Sequence, residues 1–199
     1  MNSYKNKKFI SESVFLISKN EKILDVGGGE RFGKWLKEYE VLFKNSNYQT
    51  FDYDRNTGAD IIGDIHNMPI SSESFDAVLC SSVLEHVYNP IQAMSELHRI
   101  LKKDGLIFFY VPSIYPYHAK KGYYPDYWRF FDDTIKELFK NFTEVKIEKR
   151  GGYFTALSFF VPLQHKIRSL LDLLSYSLDR LFKTEKKNTT AGYYVLAKK

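Results

Sequence analysis

Apolar and polar positions along the chain switch repeatedly between two periods. Residues 7–18 place Ile10, Val14 and Ile17 on one helical face. "KILDV" (22–26) is a short apolar run that predicts a buried strand, and Phe32–Phe43 predicts a helix after it. "YQTFDYD" (48–54) and "ADIIGDI" (59–65) predict a second and a third strand, each ending in acids. "SFDAVLCSS" (74–82) is apolar throughout its middle, as a central parallel strand should be. Residues 89–103 put Ile91, Met94, Leu97, His98 and Leu101 on one face, and Asp104-Gly105 reads as the turn that stops this helix. A fifth strand (105–113), a helix (132–142), a sixth strand (144–150) and a seventh, "GYYVLAKK", complete the pattern. Strands alternating with helices predict an α/β fold around a mostly parallel sheet.

One stretch breaks the alternation. "HKIRSLLDLLSYSLDRLF" (165–182) carries Ile167, Leu170, Leu171, Leu174, Leu178, Leu181 and Phe182 as a helical stripe, preceded by the uncharged run "GYFTALSFFVPL". Residues 1–199 are therefore read as one domain with a helical insertion at about 152–190 between the last two strands. The stripe predicts packing on the sheet or on a partner subunit, as in a homodimer. The alternative is peripheral membrane contact through 152–183.

Composition adds little to this picture. The 199 residues are 44% hydrophobic and 27% charged, with a net charge of +5. The basic residues are scattered, so no nucleic-acid stripe is expected. A lone cysteine, Cys80, at the end of an apolar run excludes an internal disulfide framework and suits a reducing cytoplasm. Glu12 interrupts the first apolar patch and no small-residue cleavage site follows, so no secretory signal is expected.

The candidate chemistry gathers where the strands end, which is where open α/β sheets bind ligands. In "ILDVGGGERFGKW" a dinucleotide fingerprint fails, because its last glycine would fall on Phe32. The pattern D-x-G-x-G fits instead. Gly27 permits a turn closed to other residues, Gly29 lets the main chain approach a ligand, and Asp25 accepts from a cationic amino group. Asp52 ends the second strand, where a carboxylate accepts both hydroxyls of a ribose; Asp54 is the alternative. Asp64 ends the third, placed to accept from an adenine amino group while the Ile65 N–H donates to the ring. Ser81 ends the fourth.

The ordered blocks "ILDVGGG", "FDYD", "GDIHNMPISSESFDAVLCSSVLEHV" and "ELHRILKKDGLIFFYVP" resemble the class I S-adenosylmethionine-dependent methyltransferases of the small-molecule "type 11" kind, over roughly residues 20–150. That resemblance implies S-adenosyl-L-methionine as cofactor. It implies a seven-stranded, mostly parallel Rossmann-like sheet with helices on both faces, in the order 3-2-1-4-5-7-6 with the seventh strand antiparallel. It also supports the roles given to Gly27, Gly29, Asp52 and Asp64. Arg31 stands where many relatives have another glycine; it caps the ligand's carboxylate or points to solvent.

On the acceptor side, "SSVLEHV" places Glu85 and His86 at the pocket lip. His86 is read as a packing residue under the cofactor, with a catalytic role as the alternative. Some quinone methyltransferases of this class bind a metal with a further glutamate at the position of Ser82, so no metal is expected here. "VPSIYPYHAKKGYYPDYWRFF" (111–131) is too long and too aromatic for a plain connection. It resembles a loop found in polysaccharide- and sugar-modifying methyltransferases. His118 is its candidate general base. Tyr117 and Trp128 are candidates for stacking on an acceptor ring, and Asp126 with Arg129 either orient the acceptor or pair with each other. The expected activity is methyl transfer to a small-molecule or glycan acceptor at oxygen. The alternatives are N- or C-methylation of a metabolite such as a quinone precursor, and a non-catalytic cofactor-binding protein.

Overall fold

The computed structural model describes residues 2–199, without the side chains of residues 2–4 and Lys34. Helix α1 (Asn2–Ser18) leads into β1 (Lys22–Val26), β2 (Asn47–Asp52), β3 (Ile61–Ile62) and β4 (Phe75–Ser81). Then come α2 (Pro90–Ile100), β5 (Leu101–Pro112), α3 (Asp132–Leu138), β6 (Glu144–Lys149), α4 (Tyr153–Ser158), α5 (Arg168–Leu181) and β7 (Gly192–Lys198). The seven strands form one sheet in the order β3-β2-β1-β4-β5-β7-β6. Strands β1 to β5 pair in parallel, and β7 runs antiparallel to both β5 and β6.

The central strands are apolar on both faces because both faces are covered. Leu24, Val26, Val78, Cys80, Phe109 and Val111 join α2 and α3 in one core. Ile23, Ala77, Leu79 and Phe108 join α1 and the segment 34–43 in the other. Each such buried Leu, Val or Phe contributes about 1.5–3 kcal/mol, so β1, β4 and β5 make a stiff platform for the loops at their carboxyl ends.

Several elements depart from the sequence pattern. Lys34–Phe43 forms a 3-10 segment rather than the expected α-helix, and its Gly33 N-cap offers no side chain to cap it. The third strand shrinks to two residues, because Asp60 turns back to accept from the Thr50 N–H and hydroxyl. α2 starts sharply, with the Asn89 side chain accepting from the Gln92 N–H and Pro90 following it. It stops at Ile100 rather than Lys103; Leu101 already pairs with Phe75, and Asp104 takes a positive φ inside β5. Ile91 is exposed rather than on the buried face.

The insertion is built inside out. On α5 the polar positions Ser175 and Asp179 are buried, whereas Leu173 and Leu181 are 66% and 72% exposed. The cause is Asp179. Its carboxylate accepts from the N–H groups of Gly152, Phe154 and Thr155 and from the hydroxyls of Thr155 and Thr184. Those five bonds satisfy the start of α4 and hold α5 by its polar face. The leucine stripe therefore points largely outward, and its last member, Phe182, meets Phe154 of α4 with ring centroids 5.6 Å apart.

Candidate active site

A cleft of about 570 Å³ opens above the carboxyl ends of β1, β2 and β4. That size suits a small ligand. Asp25, Gly27, Asp52, Asp64, Ile65 and Ser81 all line it, and Gly29 reaches it through Asp52. Gly27 has φ +71°, and a Cβ there would lie 2.5 Å from Val83 Cγ2. Gly29 has φ +51°, and a Cβ there would lie 3.4 Å from Asp52 Oδ2, so the turn runs directly past the Asp52 carboxylate. Gly28, which sequence reasoning passed over, is the tightest of the three: a Cβ would lie 2.2 Å from Asp25 Oδ2. Asp25 is buried and accepts from the Tyr48 hydroxyl at 2.6 Å. Burial and the adjacent Asp25 push the Tyr48 phenol well above its ordinary pKa, so it remains a donor.

Both acids at the end of β2 line the cleft, but they are held differently. Asp54 caps the turn that follows, accepting from the Asn56 N–H, while Asp52 lies against the glycine turn. Asp64 accepts from both the N–H and the Nδ1 of His66, the latter at 2.6 Å. Burial works to raise the Asp64 pKa, but these His66 donors outweigh it and lower the value. His66 is itself buried, stacked on Tyr88 at 3.9 Å, and accepts from the Asn89 N–H through Nε2. His66 and Tyr88 thus hold Asp64 at the cleft, and only the proximity of His66 in "GDIHNMP" hinted at it. Arg31 is exposed, as one of its two expected places has it. It pairs with Asp60 at 2.9 Å and clips the glycine turn to the β2–β3 connection.

The acceptor end is made by the loop 111–131 folding over the short 3-10 turn Leu84–His86. The Glu85 carbonyl accepts from Tyr127 N–H, His86 Nδ1 lies 2.6 Å from the Pro125 carbonyl, and Trp128 Nε1 donates to the Val87 carbonyl. This brings His118 beside His86, with ring centroids 4.9 Å apart, and both beside Glu85. The nearby Glu85 carboxylate is the chief influence raising the His118 pKa. Burial opposes it, and the Pro116 carbonyl and Asp126 assist.

The predicted acceptor residues divide. Asp126 and Arg129 form a two-pronged ion pair at 2.6 and 2.7 Å, with the Asp126 carboxylate buried and the Arg129 guanidinium also donating to the Tyr115 and Pro116 carbonyls. Burial acts to raise the Asp126 pKa, but Arg129 and His118 hold it at about 2. This pair is an internal clip that shapes the loop, and neither residue lines the cleft. Tyr117 is 76% exposed and also outside the cleft, and Trp128 is tied to the Val87 carbonyl. Tyr115, Tyr123, Tyr124 and Tyr127 line the cleft instead.

Arg150, also missed, enters from the end of β6. It donates to the Tyr110 hydroxyl at 2.8 Å and lies 4.6 Å over the Phe159 ring. No carboxylate among the described residues pairs with it, so it gives the acceptor end a positive wall. Its position three residues before α4 carries no motif.

Comparison with known proteins places this geometry. Residues 24–109 match a family model described as a methyltransferase domain. An uncharacterised protein of Methanocaldococcus jannaschii is 32% identical over 100 residues, covering 50% of this chain and 41% of that protein. The chloroplastic 2-methyl-6-phytyl-1,4-hydroquinone methyltransferase 1 of rice is 26% identical over 144 residues, covering 65% of this chain and 43% of the rice protein. The chain thus spans less than half the length of either relative. In structure, a SAM-dependent methyltransferase from Archaeoglobus fulgidus aligns over 100% of this chain and 95% of its own, at 15% identity and a TM-score of 0.60. With the same strand order, the reversed seventh strand, the glycine turn and acids at three strand ends, the chain has the fold of the class I S-adenosylmethionine-dependent methyltransferases, and its residues 24–109 match the methyltransferase domain.

Proposed function

We propose that this protein methylates an oxygen of a small-molecule or glycan acceptor held at the aromatic end of the cleft. One observation carries the reading: a single cleft joins Asp52, Asp64 and the glycine turn at one end to Glu85, His86, His118 and four tyrosines at the other. When bound, S-adenosylmethionine supplies a sulfonium methyl, and its C–S bond breaks as the C–O bond forms. Asp52 accepts the ribose hydroxyls, Asp64 with the Ile65 N–H reads the adenine, and Asp25 faces the cationic amino group. The tyrosines stack on the acceptor and exclude water, which is most of what an in-line displacement asks of a protein. The acceptor hydroxyl meets the Nε2 atoms of His86 and His118 and releases its proton at that cluster. The positive wall at Arg150 favours acceptors bearing a carboxylate or phosphate. The rice relative's name points to the rival acceptor, a hydroquinone, which an aromatic-lined cleft also fits.

Calorimetry with S-adenosylhomocysteine tests the cofactor half. Two hydrogen bonds to a carboxylate, at about 1.5–3 kcal/mol each, mean that Asp52→Ala should weaken binding by at least about 100-fold. Wild-type protein that does not bind would end the reading. Assays with nucleotide-sugars against hydroquinones then separate the two acceptors.

We also propose that the outward leucine face of α5 rests on an anionic lipid surface. No helix among the described residues is long and apolar enough to cross a membrane. The face is flanked by exposed Lys166, Lys183, Lys186 and Lys187, which supply the matching charge. Flotation with vesicles containing phosphatidylserine should capture the protein, and Leu173→Glu with Leu181→Glu should release it. Equal flotation of that variant, or none by the wild type, refutes this.

A further inference from the structure

The Glu85 carboxylate is an anomaly. Its side chain is 1% exposed, and neither oxygen has a hydrogen-bond partner. Buried polar groups are almost always paired, so an orphaned carboxylate at the wall of a cleft asks what it faces. It faces two imidazole nitrogens. His86 Nε2 lies 3.8 Å from Glu85 Oε1 and His118 Nε2 lies 3.7 Å from it. Both distances are too long for a hydrogen bond. One donor atom from each of the three residues lies within 4.8 Å of the others.

The far nitrogen of each ring shows which way the lone pairs point. His86 Nδ1 is 2.6 Å from the Pro125 carbonyl. His118 Nδ1 is 3.1 Å from the Pro116 carbonyl and 3.3 Å from Asp126 Oδ2. Carbonyls and carboxylates only accept, so Nδ1 carries the hydrogen in His86, and in His118 the two nearer acceptors set it there against the Arg129 Nη2 at 3.4 Å; the neutral Nε2 atoms then present lone pairs. Three lone-pair donors therefore converge on one small space with nothing of opposite sign in it. Histidines that ligate metals donate their other N–H to a backbone carbonyl or carboxylate in this way. Metal–nitrogen and metal–oxygen bonds of about 2.0–2.2 Å set neighbouring donors roughly 3–3.5 Å apart, so the observed spacing closes on an ion with a small inward movement.

We propose that Glu85, His86 and His118 form a binding site for a divalent transition-metal ion whose open positions face the cleft and take oxygen donors of the acceptor. Two imidazoles and one carboxylate suit zinc, iron(II), cobalt(II) or manganese(II) better than magnesium or calcium, which prefer all-oxygen shells. Ser82 in place of a glutamate argued against a metal in the sequence, but the third donor arrives 32 positions after His86, on the loop pinned across Glu85 by Tyr127 and Trp128. With an ion bound, the two Nε2 atoms would no longer take the proton directly: the acceptor hydroxyl would meet the ion, and its proton would pass to water in the open cleft. Only the statement that acceptor oxygens fill the open positions rests on the methyltransferase reading; the binding of the metal does not.

The test is metal binding to chelator-stripped full-length protein. Titration with Zn²⁺ by calorimetry and with Co²⁺ by visible absorption should give one ion per chain at micromolar or tighter affinity. Glu85→Gln and His118→Asn should each weaken it at least tenfold and alter the Co²⁺ spectrum. Binding of S-adenosylhomocysteine in each variant reports that it has folded, and if one fails, the other with His86→Asn decides. Absence of stoichiometric binding, or binding that all these variants retain, overturns the proposal. Metal binding without S-adenosylhomocysteine binding would leave the site standing and remove the methyltransferase reading.

Discussion

Gly28→Ala isolates how the glycine turn holds its ligand. A Cβ at this position would sit 2.2 Å from Asp25 Oδ2 and 2.6 Å from its Cγ, so the carboxylate has to move by about 1 Å to reach ordinary contact. Asp25 has little freedom to do so, because it is buried and its Oδ2 accepts from the Tyr48 hydroxyl at 2.6 Å. Rotating it away breaks that bond, and a hydrogen bond to a carboxylate is worth about 1.5–3 kcal/mol. Asp25 lines the cleft, so a ligand that needs the native carboxylate bears this cost on binding. Calorimetry should show the Kd for S-adenosylhomocysteine rising by about 10- to 150-fold. Tyr48→Phe removes the same bond from the other side, so the double variant should be little worse than the poorer single one. Binding within twofold of wild type in Gly28→Ala, or full additivity with Tyr48→Phe, would refute this account.

Asp179→Ala strands the N–H groups of Gly152, Phe154 and Thr155, at about 1–3 kcal/mol each. The expected result is local opening: hydrogen exchange across α4 and α5 accelerates by about 100-fold while β1 and β4 keep their protection, and a uniform loss would contradict it. His98 supplies a pH dependence. Burial foremost, with the charge of Lys199, depresses its pKa below the ordinary value of about 6.5, against the Asn141 carbonyl. The unfolded chain therefore binds the proton more readily. Stability from this group is complete above about pH 6.5 and is lost as pH falls through the depressed value. Urea midpoints at pH 7.5 and 5.5 should differ less in His98→Gln than in wild type; an equal difference would exclude His98 as the cause.

The cofactor half was legible because its signals are local. Period-two apolar runs mark β1, β4 and β5, and an acid at a strand end is placed in the cleft by the strand itself. Asp25, Asp52 and Asp64 therefore followed from position. Residues whose roles depend on a partner far along the chain were not legible. Nothing near Tyr48 announces Asp25, and nothing near Arg150 announces Tyr110. Aromatic content marked the loop 111–131 as special but not which tyrosines turn inward, since Tyr117 and Tyr115 differ only in the path set by the Asp126–Arg129 clip. A helical stripe says that one face is apolar, not which face is inside. Asp179 decided that for α5, through donors supplied by α4 and Thr184.

Arg150 and Phe159 tie the insertion to the aromatic end of the cleft. Phe159, one residue past α4, lies under the Arg150 guanidinium and 4.9 Å from the Tyr115 ring, so the insertion backs two residues that line the cleft. The residues that match the general methyltransferase model end at 109, before the acceptor loop and the insertion begin. On the proposed function, the chain divides into a cofactor-binding half of general type and a separate acceptor-facing front. If both proposals hold, replacing residues 150–190 changes acceptor and lipid contact in a single step, with no residue of the cofactor site disturbed.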